Sequence, residues 1–468
     1  MAQFIGRERE LAALEEMWAR PNAQFLVTYG RRRTGKTALL LRFAQGKPYL
    51  YWPASQSSAT YLLRSFSQAL WNHANPSLPA AADFTFGHWE QAVRFAGELA
   101  TRDRLLLIID EFPYLTRADP SLPSLLQNAW DHQLKEKSLF LAITGSHIGM
   151  MENTVLSYRA PLYGRATGVL QVKPMSLADA RQFLPAYSTT QAMEAYAILG
   201  GIPAYLEQFD DSRPLEHNIR TRILSLTSFF LIDPLYLLNE ALHEPRNYHA
   251  ICAAIGVGAR RPSEIASMTG LERTNLPKYL NTLQTLGFLE RRLPVSWREG
   301  TDGRGIYVIK DHYLRFYFRF LQPYLADLER GNLVGVMSRI TSQLPTYVGR
   351  SLFEELCQEW VLNKGLRGEL PFRPARVGAY WDDKVEIDVT SVSPGERALL
   401  VGEAKYTASP VGEDVLEGLR AKTQALGVPA GWQVHEAIFS RSGFTASLQA
   451  RAAQERVILV DLDQVASG

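Results

Sequence analysis

The feature that most constrains the fold is the segment from Tyr29 to Ala38, which reads Y-G-R-R-R-T-G-K-T-A. It contains the pattern G-x-x-x-x-G-K-[ST] between an apolar run at 25–29 and a predicted helix at 38–43. A strand, a loop and a helix in this order let backbone N–H groups and a helix N-terminus surround a phosphate. We therefore predict a nucleotide site, lined by Gly30, Arg31, Arg32, Arg33, Thr34, Gly35, Lys36, Thr37 and Ala38.

Within this site, Lys36 would reach the outer phosphates and the Thr37 hydroxyl would bind Mg²⁺. The apolar run at 104–115 is typical of a strand covered on both faces, and it contains Asp110 and Glu111. Ligands of open α/β sheets bind at the C-terminal ends of such strands. We predict that Asp110 holds Mg²⁺ through water and that Glu111 polarises the water that attacks the γ-phosphate. The alternative is a solvated acidic turn.

Two further residues are candidates for contact with the nucleotide. The segment 138–146 reads as an apolar strand, and Ser146, in preference to Thr144, would sense the γ-phosphate with its hydroxyl. A simple exit from strand to turn explains this segment equally well. Arg165, in P-L-Y-G-R, is a candidate charge-stabilising arginine in its own subunit or across an interface. The alternative is a surface arginine in a loop.

Composition limits the classes of protein. A chain of 468 residues is too long for one ordinary core, and 46% hydrophobic residues argue against global disorder. The net charge of +2 does not decide about nucleic acid, where local clustering matters. Cys252 and Cys357 are expected to be buried thiols of a cytoplasmic protein. No signal core and no run of about 20 apolar residues is visible, so no membrane partner is expected.

Six motifs occur in an order that resembles a known group. They are F-I-G-R-E-R-E-L, Y-G-R-R-R-T-G-K-T, L-L-L-I-I-D-E-F-P-Y-L, I-T-G-S, P-L-Y-G-R and G-G-I-P-A-Y-L. Together they resemble the prokaryotic archaeal-type ATPases, a branch of the STAND/AAA+ P-loop NTPases. The resemblance implies an α/β P-loop domain with a helical lid, ATP and Mg²⁺ as cofactors, and a nucleotide-dependent switch. A homo-oligomer is left open.

The middle of the chain shows three helical periods, at 248–255, 262–268 and 274–286. A strand at 291–295, a glycine-rich turn at 300–305 and a strand at 306–309 follow, and helices followed by a hairpin describe a winged helix. The polar and basic residues of this module are Asn275, Lys278, Asn281, Arg260, Arg261 and Arg273. They would read DNA, or the module would act as an intramolecular switch.

The segment 311–327 is rich in aromatic residues, with Tyr313, Phe316, Tyr317 and Phe320 at helical spacing and arginines between them. Aromatic residues and arginines together bind nucleic acid in some proteins. Aromatic stripes at helical spacing more often form a core, and we predict a core here.

The C-terminal part contains a second constellation of charged residues. The segment 385–389 alternates as a half-buried strand, 393–395 forms a turn, and 397–405 returns. Residues two apart on a strand share a face, so Glu403 and Lys405 point together and Asp388 can join them from the neighbouring strand. The two carboxylates would bind Mg²⁺, and Lys405 would position or activate the water attacking a phosphodiester. The alternative is a hairpin with a surface salt bridge.

This pattern resembles that of the PD-(D/E)xK nucleases, with Ile387 where a proline is expected. The resemblance implies a restriction-endonuclease-like α/β domain in which the helix near 349–356 supplies a further acid to the metal site. We prefer Glu354 to Glu355 for that role. In the archaeal-type ATPases the C-terminal domain is of this nuclease-like kind, so the resemblance covers nearly the whole chain.

The predicted organisation has five parts: the P-loop ATPase domain (1–175), a helical lid (176–243), a winged helix (244–312), a helical linker (313–345) and a nuclease-like domain (346–468). The first hypothesis is an ATPase that controls a Mg²⁺-dependent nuclease acting on DNA or RNA, with DNA favoured. The second is a nucleotide-switched DNA-binding or regulatory protein without cleavage. The third is a signalling scaffold for a protein partner.

Overall fold

The computed structural model describes residues 4–101, 103–146, 148–151, 155, 157–158, 160–242, 244–297 and 305–467. The chain divides into two compact units. The first comprises Met1–Met175 with Ile202–Ala204, and the second comprises Ser176–Gly201 with Tyr205–Gly468.

A five-stranded parallel sheet forms the centre of the first unit. Its strands are β1 (Gln24–Tyr29), β2 (Tyr49–Pro53), β3 (Leu105–Asp110), β4 (Leu139–Gly145) and β5 (Gly168–Gln171), in the order β2-β3-β4-β1-β5. The apolar runs predicted at β1, β3 and β4 are confirmed as strands. All six residues of β3 are buried, because helices cover both faces of a parallel sheet.

The helices of the first unit lie between the strands and cover the sheet. They are α1 (Glu8–Ala19), α2 (Lys36–Ala44), α3 (Ala59–Ala74), α4 (Trp89–Leu99), α5 (Phe112–Ala118), α6 (Leu122–His132) and α7 (Ile148–Met151), with a 3₁₀ turn at Leu134–Glu136. Alternate side chains of each strand enter opposite cores. Phe25 and Val27 belong to one apolar cluster, and Leu26 belongs to the other, together with Leu39 and Leu40 of α2. The predicted α/β class with a parallel sheet is therefore confirmed for this unit.

The second unit begins with a helical region. Its helices are α8 (Leu177–Arg181), α9 (Thr189–Leu199), α10 (Pro203–Leu206, with residues assigned to both units), α11 (Leu215–Asn218), α12 (Asp233–Ala241), α13 (Arg246–Gly256), α14 (Pro262–Thr269), α15 (Leu276–Thr285), α16 (His312–Phe316), α17 (Leu325–Glu329) and α18 (Leu333–Val348). Shorter turns lie at Ile219–Ile223, Phe229–Leu231, Tyr317–Leu321, Gln322–Tyr324 and Gly349–Phe353.

A two-stranded antiparallel sheet follows α15. It pairs β6 (Leu289–Arg292) with β7 (Ile306–Ile309). The predicted position of the first strand, 291–295, was wrong, because the strand begins and ends earlier in the chain. Leu289 is buried opposite Ile309, whereas Val295 donates its N–H to the carbonyl of Ala379, 2.8 Å away. The glycine-rich turn predicted between the strands lies, at 300–304, outside the described residues.

The predicted core role of the aromatic segment is confirmed. Tyr313, Phe316 and Tyr317 are fully buried, and Phe320 is 2% exposed. Of the two arginines considered for nucleic acid, Arg315 is paired with Glu355 at 2.9 Å, and Arg319 donates to Gln343 at 2.9 Å. Burial of four large rings contributes about 1.5–3 kcal/mol for each side chain, so the segment stabilises this unit.

A second five-stranded sheet occupies the C-terminal part. Its strands are β8 (Arg376–Trp381), β9 (Glu386–Ser393), β10 (Ala398–Lys405), β11 (Gln433–Ser440) and β12 (Ile458–Asp461), in the order β12-β11-β10-β9-β8. The strand β9 is antiparallel to β8 and β10, whereas β10, β11 and β12 are parallel. The predicted hairpin is therefore confirmed. Four helices accompany the sheet: α19 (Glu354–Leu366), α20 (Glu413–Leu426), α21 (Ala446–Glu455) and α22 (Leu462–Ser467).

Cys252 and Cys357 are both buried and unpaired, as predicted. Among the helices that the structure describes, none has both the length and the apolar character needed to cross a bilayer.

Candidate functional site

The loop between β1 and α2 approaches neighbouring backbone so closely that glycine is required. A Cβ at Gly30 would lie 2.3 Å from the carbonyl oxygen of Val172, and the φ of Gly30 is 153°. Gly35 has a φ of 89° and directly precedes the first residue of α2. Both values belong to backbone that side chains with a Cβ rarely adopt. The loop thus leads directly to a helix N-terminus, where backbone N–H groups attract anions.

The side chain of Lys36 lies inside this loop. It is 5% exposed, and its Nζ donates to the carbonyl oxygens of Gly30 at 3.0 Å and Arg31 at 3.1 Å. Burial lowers the pKa of Lys36, and the nearby carboxylates of Glu111 and Asp110 act in the opposite direction. The ammonium group is therefore held by neutral acceptors, which a bound phosphate would replace without leaving a carboxylate unpaired.

Asp110, the last residue of β3, gathers hydroxyl donors. The Thr37 hydroxyl donates to its Oδ2 at 2.7 Å, the Tyr51 hydroxyl donates to the same atom at 2.9 Å, and Thr144 donates to its Oδ1. Burial and Asp110 together raise the pKa of Tyr51. The hydroxyl and carboxylate oxygens of Thr37 and Asp110 are ligands that Mg²⁺ prefers. The pair therefore fits a magnesium ion chemically.

Glu111 and Ser146 are brought together at the ends of neighbouring strands. The Glu111 Oε2 accepts from the Ser146 hydroxyl at 2.9 Å and from its N–H at 3.2 Å. Glu111 itself has a φ of 53°, in the left-handed region, which costs energy for a residue other than glycine. Thr144, the second choice for the sensor role, is buried against Asp110 instead.

Sequence reasoning missed two residues beside the loop, Tyr51 and Arg7. The Arg7 guanidinium is 8% exposed and donates to the carbonyl oxygens of Thr34 at 3.2 Å and Lys173 at 2.6 Å. The motif F-I-G-R-E-R-E-L contains Arg7 but does not indicate this contact. For Tyr51 the available signal was the residue type, because a tyrosine on an apolar strand buries its ring and its hydroxyl then needs a hydrogen-bond partner.

Arg165 lies far from the loop. It precedes β5, which runs parallel to β1, whereas the loop follows β1. Because β1 is about 20 Å long, Arg165 and the loop lie at opposite ends of these two neighbouring strands. Arg165 there forms an ion pair with Asp131 at 3.0 Å. The prediction that Arg165 stabilises charge in the site of its own subunit is therefore wrong, and the alternative across an interface stays a prediction.

The second constellation lies on β9 and β10. Residues 389 and 402 are paired, so Asp388 lies beside Glu403 on the neighbouring strand. The Asp388 Oδ2 accepts the N–H of Ala404 at 3.0 Å, and Lys405 Nζ donates to Glu403 Oε1 at 2.7 Å. The structure thus brings the three predicted residues Asp388, Glu403 and Lys405 together.

Lys422, on α20, is a further member of this group that sequence reasoning missed. Its Nζ donates to both oxygens of Glu403, at 2.9 and 2.7 Å. The available signal was its spacing, because it follows the buried Leu419 by three residues and precedes the buried Leu426 by four. A charged residue on the apolar side of an amphipathic helix points toward the core. Lys422 therefore reaches Glu403 from the helix that packs against β10.

The neighbouring acids Glu354 and Glu355 have different surroundings. Glu355 is paired with Arg292 at 3.0 Å and with Arg315 at 2.9 Å. Burial opposes its ionisation, but the two arginines outweigh it and hold the pKa of Glu355 below its ordinary value. Burial and the negative charges of Asp388 and Glu386 raise the pKa of Glu354 to about 8. Glu354, the preferred residue, is therefore the one near Asp388.

Burial and neighbouring charges shift the pKa values of Asp388 and Lys405 in this group. Burial and Glu403 raise the pKa of Asp388 to about 6. Burial works against the charged form of Lys405, but its hydrogen bond with Glu403 carries its pKa above the ordinary value. Carboxylates alone suit Mg²⁺ chemically. In the described part of the chain, however, no three acidic, histidine or cysteine side chains are arranged to hold a metal ion. Both Glu403 oxygens accept hydrogen bonds from lysines.

The polar residues predicted on the third helix of the middle module are exposed. Leu276, Leu280 and Leu283 are the buried residues of α15. The exposed residues of this module include Arg260, Arg261, Arg273, Asn275, Lys278 and Asn281.

Known proteins match both halves of the chain. A family described as an ATPase domain predominantly from Archaea matches residues 4–209, and one described as Archaea bacterial proteins of unknown function matches residues 317–416. An uncharacterized protein of Methanocaldococcus jannaschii is 32% identical over 403 residues, which are 86% of this chain and 87% of the relative.

Two solved structures are similar to this chain. A Walker-type ATPase of Pyrococcus abyssi is 21% identical, with 68% of this chain and 96% of that chain covered and a TM-score of 0.49. The ORC2 protein of Aeropyrum pernix is 11% identical, with 71% and 96% covered and a TM-score of 0.42. Because both TM-scores are below 0.5, the assignment rests on the sequence matches. The chain belongs to the family of proteins that join an ATPase domain predominantly from Archaea to a C-terminal domain of unknown function found in archaeal and bacterial proteins.

Proposed function

We propose that this protein is a STAND-type ATPase that binds and hydrolyses ATP and thereby controls a Mg²⁺-dependent nuclease centre in its C-terminal part. The substrate of that centre is a nucleic acid, with DNA favoured over RNA. The observation that carries the proposal is that the chain contains two separate groups of hydrogen-bonded polar and charged side chains whose composition suits phosphate and Mg²⁺. One is Lys36, Thr37 and Asp110, and the other is Asp388, Glu403 and Lys405.

In the ATPase part, the backbone of the loop from Gly30 to Ala38 would hold the phosphates, with Lys36 neutralising their charge. Thr37 and Asp110 would hold Mg²⁺, which neutralises further charge on the β- and γ-phosphates. The hydrogen bond of 2.7 Å between these two side chains supports this assignment. Glu111 would orient the attacking water and Ser146 would sense the γ-phosphate, a pairing supported by their direct contact.

Arg165 enters the proposal only through a second copy of the chain. Its position rules out its own loop, so its proposed role is to complete the site of a neighbouring subunit in a homo-oligomer. Two requirements follow from this role. Arg165 must leave its ion pair with Asp131, in which both side chains are about one-third exposed, and oligomers must form when ATP is bound.

The helices α13, α14 and α15 with the hairpin β6–β7 form the proposed winged helix. The order of the elements and the amphipathic third helix support this. The exposed Arg273, Asn275 and Lys278 lie at the start of α15 or before it, where a recognition helix contacts base edges.

In the C-terminal part, Glu354, Asp388 and Glu403 would hold Mg²⁺, which polarises the phosphodiester and its attacking water. Lys405 would position that water. The proximity of Glu354 to Asp388, and of Asp388 to Glu403, supports this grouping, because their like charges raise the pKa values of two of these acids. For metal to bind, Glu403 must exchange a lysine partner for the ion.

A second candidate function is nucleotide-switched binding of DNA without cleavage. The observation that favours it is that Lys405 and Lys422 already occupy both oxygens of Glu403. A carboxylate that stays in such an ion pair organises the sheet and does not bind metal. The centre would then be structural, and ATP would control binding alone.

The test compares two variants of the full-length chain with matched controls. Lys36→Ala is expected to lower ATP hydrolysis by on the order of 10²–10³-fold, as for the loss of one charge-stabilising donor. Arg42→Ala, on the exposed side of the same helix, should keep the wild-type rate. Asp388→Asn is expected to abolish cleavage with Mg²⁺ or Mn²⁺ and to leave ATP hydrolysis unchanged. Asp383→Asn, whose side chain is 90% exposed, should keep both activities.

The panel includes single- and double-stranded DNA and RNA, with and without ATP. If the wild type binds these nucleic acids and cleaves none of them, the second candidate replaces the first. If it neither cleaves nor binds them at any salt concentration, a protein partner replaces nucleic acid. Retention of ATP hydrolysis by Lys36→Ala would refute the assignment of the first site.

A further inference from the structure

A large cavity lies beside the candidate nuclease centre and is not part of the assignments above. Its volume is about 820 Å³, and all of its lining residues belong to the second unit. They come from the end of α13 and the residues after it, the β6–β7 hairpin, α16 with the turn that follows it, the end of α18 with the turn at Gly349–Phe353, the start of α19, β8 and the start of β9. Glu354 and Glu386 lie on its wall, so the cavity reaches the acidic side of the centre.

The charge of the cavity wall is unbalanced. Four glutamates line the cavity: Glu290, Glu354, Glu355 and Glu386. Six arginines line it: Arg260, Arg291, Arg292, Arg315, Arg319 and Arg350. Because the positive residues outnumber the negative ones, the wall attracts anions.

The arginines differ in whether a carboxylate pairs with their positive charge. Arg292 and Arg315 are held by Glu355, and Arg319 donates to the neutral Gln343 at 2.9 Å. Within the described part of the chain, neither Arg260 nor Arg350 has a carboxylate oxygen within 4.0 Å of its guanidinium nitrogens. Both side chains are exposed. These two arginines are therefore available to a phosphate.

The rest of the wall suits a nucleobase. Trp381 and Tyr347 line the cavity together with Val257 and Val295. Aromatic side chains stack on bases of any sequence, and positively charged grooves follow the backbone of a single strand. The volume falls in the range of about 300–1,000 Å³ that encloses small organic ligands, so only a short piece of a strand fits inside. A duplex is too wide for such a cavity.

We propose that this cavity binds the end of a single nucleic-acid strand, with Arg260 and Arg350 contacting its phosphates and Trp381 stacking on a base. Cleavage of the bound strand rests on the nuclease function proposed above, whereas its binding does not. The phosphodiester that follows the bound end would lie against Glu354. The substrate class is thus a free strand end or a single-stranded flap.

The test is a binding experiment in EDTA, where no cleavage occurs. A short labelled oligothymidylate with a free end is titrated with wild type, Arg350→Ala, Arg260→Ala and the control Arg330→Ala, an exposed arginine that does not line the cavity. Each cavity variant is expected to weaken binding about 5- to 10-fold. Each should also reduce the slope of log K against log salt by about 0.7, the value for one lost phosphate contact on a single strand.

Three results would overturn the inference. One is an equal effect of Arg330→Ala and the cavity variants. A second is an equal loss of binding to a blunt duplex, which would indicate a general surface charge. A third is that phosphodiester-linked dithymidine binds as tightly as the oligonucleotide, which would make a free dinucleotide the ligand. Thermal melting of each variant identifies any that is unfolded, and the other cavity variant then decides the outcome.

This binding experiment and the Mg²⁺ cleavage assay described above together separate this inference from the proposed function. If Arg350→Ala weakens binding of the strand end but wild type never cleaves, the cavity assignment stands and the nuclease assignment fails. If Asp388→Asn abolishes cleavage while Arg350→Ala and Arg260→Ala bind as wild type does, the nuclease assignment stands and the cavity assignment fails.

Discussion

The P-loop centre of the first unit and the carboxylate–lysine centre of the C-terminal sheet treat their charged side chains differently. In the first, Lys36 binds backbone carbonyls, and Asp110 accepts hydrogen bonds from hydroxyl groups. In the second, Lys405 and Lys422 form ion pairs with Glu403, and burial together with the charge of Glu403 raises the pKa of Asp388. When a charged ligand binds the first centre, it replaces neutral hydrogen-bond partners, and only ordinary hydrogen bonds are lost. When a metal ion binds the second centre, a half-buried ion pair of Glu403 must be broken, which costs more. The first centre can therefore accept a charged ligand as it stands, whereas the second must break an ion pair before Glu403 can bind a metal ion.

The largest expected effect tests the first centre. Asp110→Ala removes the acceptor shared by Thr37, Tyr51 and Thr144, so the ligands of the proposed Mg²⁺ site lose their alignment. We expect ATP hydrolysis to fall by on the order of 10²–10³-fold, measured as phosphate release. The control Asp103→Ala changes an exposed aspartate just before the same strand, β3, and should have the wild-type rate. A rate for Asp110→Ala within a few-fold of wild type would show that the centre does not depend on this carboxylate.

The next effect distinguishes a glutamate that stabilises the second unit, Glu355, from a proposed metal ligand, Glu354. Glu355→Gln removes the carboxylate paired with Arg315 and leaves Arg292 with Glu290 alone, so it should lower the free energy of unfolding by about 3 kcal/mol. This is the low end for breaking a buried pair, because the Glu355 side chain keeps 24% exposure. Glu354→Gln is the matched control. Since its pKa of about 8 keeps Glu354 largely protonated at pH 7, the neutral amide should change stability little.

Urea denaturation of both variants at pH 7 measures this difference. Equal stability of Glu354→Gln and Glu355→Gln would contradict the division of roles between the two adjacent glutamates.

A smaller effect tests whether the two lysines keep metal ions from binding to Glu403. Lys422→Met removes one competitor for the Glu403 oxygens and keeps the apolar stem of the side chain. We expect Mn²⁺ to bind about 10-fold more tightly, which corresponds to about 1.4 kcal/mol, in calorimetric titrations without nucleotide. The control Lys384→Met changes an exposed lysine before β9. Unchanged affinity in Lys422→Met would mean that Glu403 does not bind the ion.

The smallest effect concerns Tyr51, one of the two residues beside the loop that sequence reasoning missed. Tyr51→Phe removes one hydroxyl donor from Asp110 and leaves the donors Thr37 and Thr144 in place. The expected loss is about 0.5–1.5 kcal/mol of stability, the net value of one hydrogen bond, with hydrolysis reduced only a few-fold. Thermal melting and phosphate release measure the two quantities. A loss of hydrolysis as large as that of Asp110→Ala would give Tyr51 a direct part in the reaction.

Several features of the molecule follow from the sequence because their cause is local. Apolar runs with buried strand character predicted β1, β3 and β4, and the period of two placed Glu403 and Lys405 on one face. The motif predicted a glycine-containing loop between a strand and a helix, and Gly30 and Gly35 stand in such a loop with φ values of 153° and 89°. Helical spacing also predicted that the aromatic residues near Tyr313 form a core.

Other features required the tertiary structure because they join residues that are far apart along the chain. Tyr51 meets Asp110 across 59 residues, and Arg7 meets Lys173 across 166. Arg165 lies at the far edge of the sheet because β5 runs parallel to β1, a direction that no local pattern encodes. Lys422 reaches Glu403 because α20 packs against β10, and the cavity of arginines exists because separate elements meet around it. Local periodicity thus determined which elements form, and the packing of those elements decided which charged groups share a site.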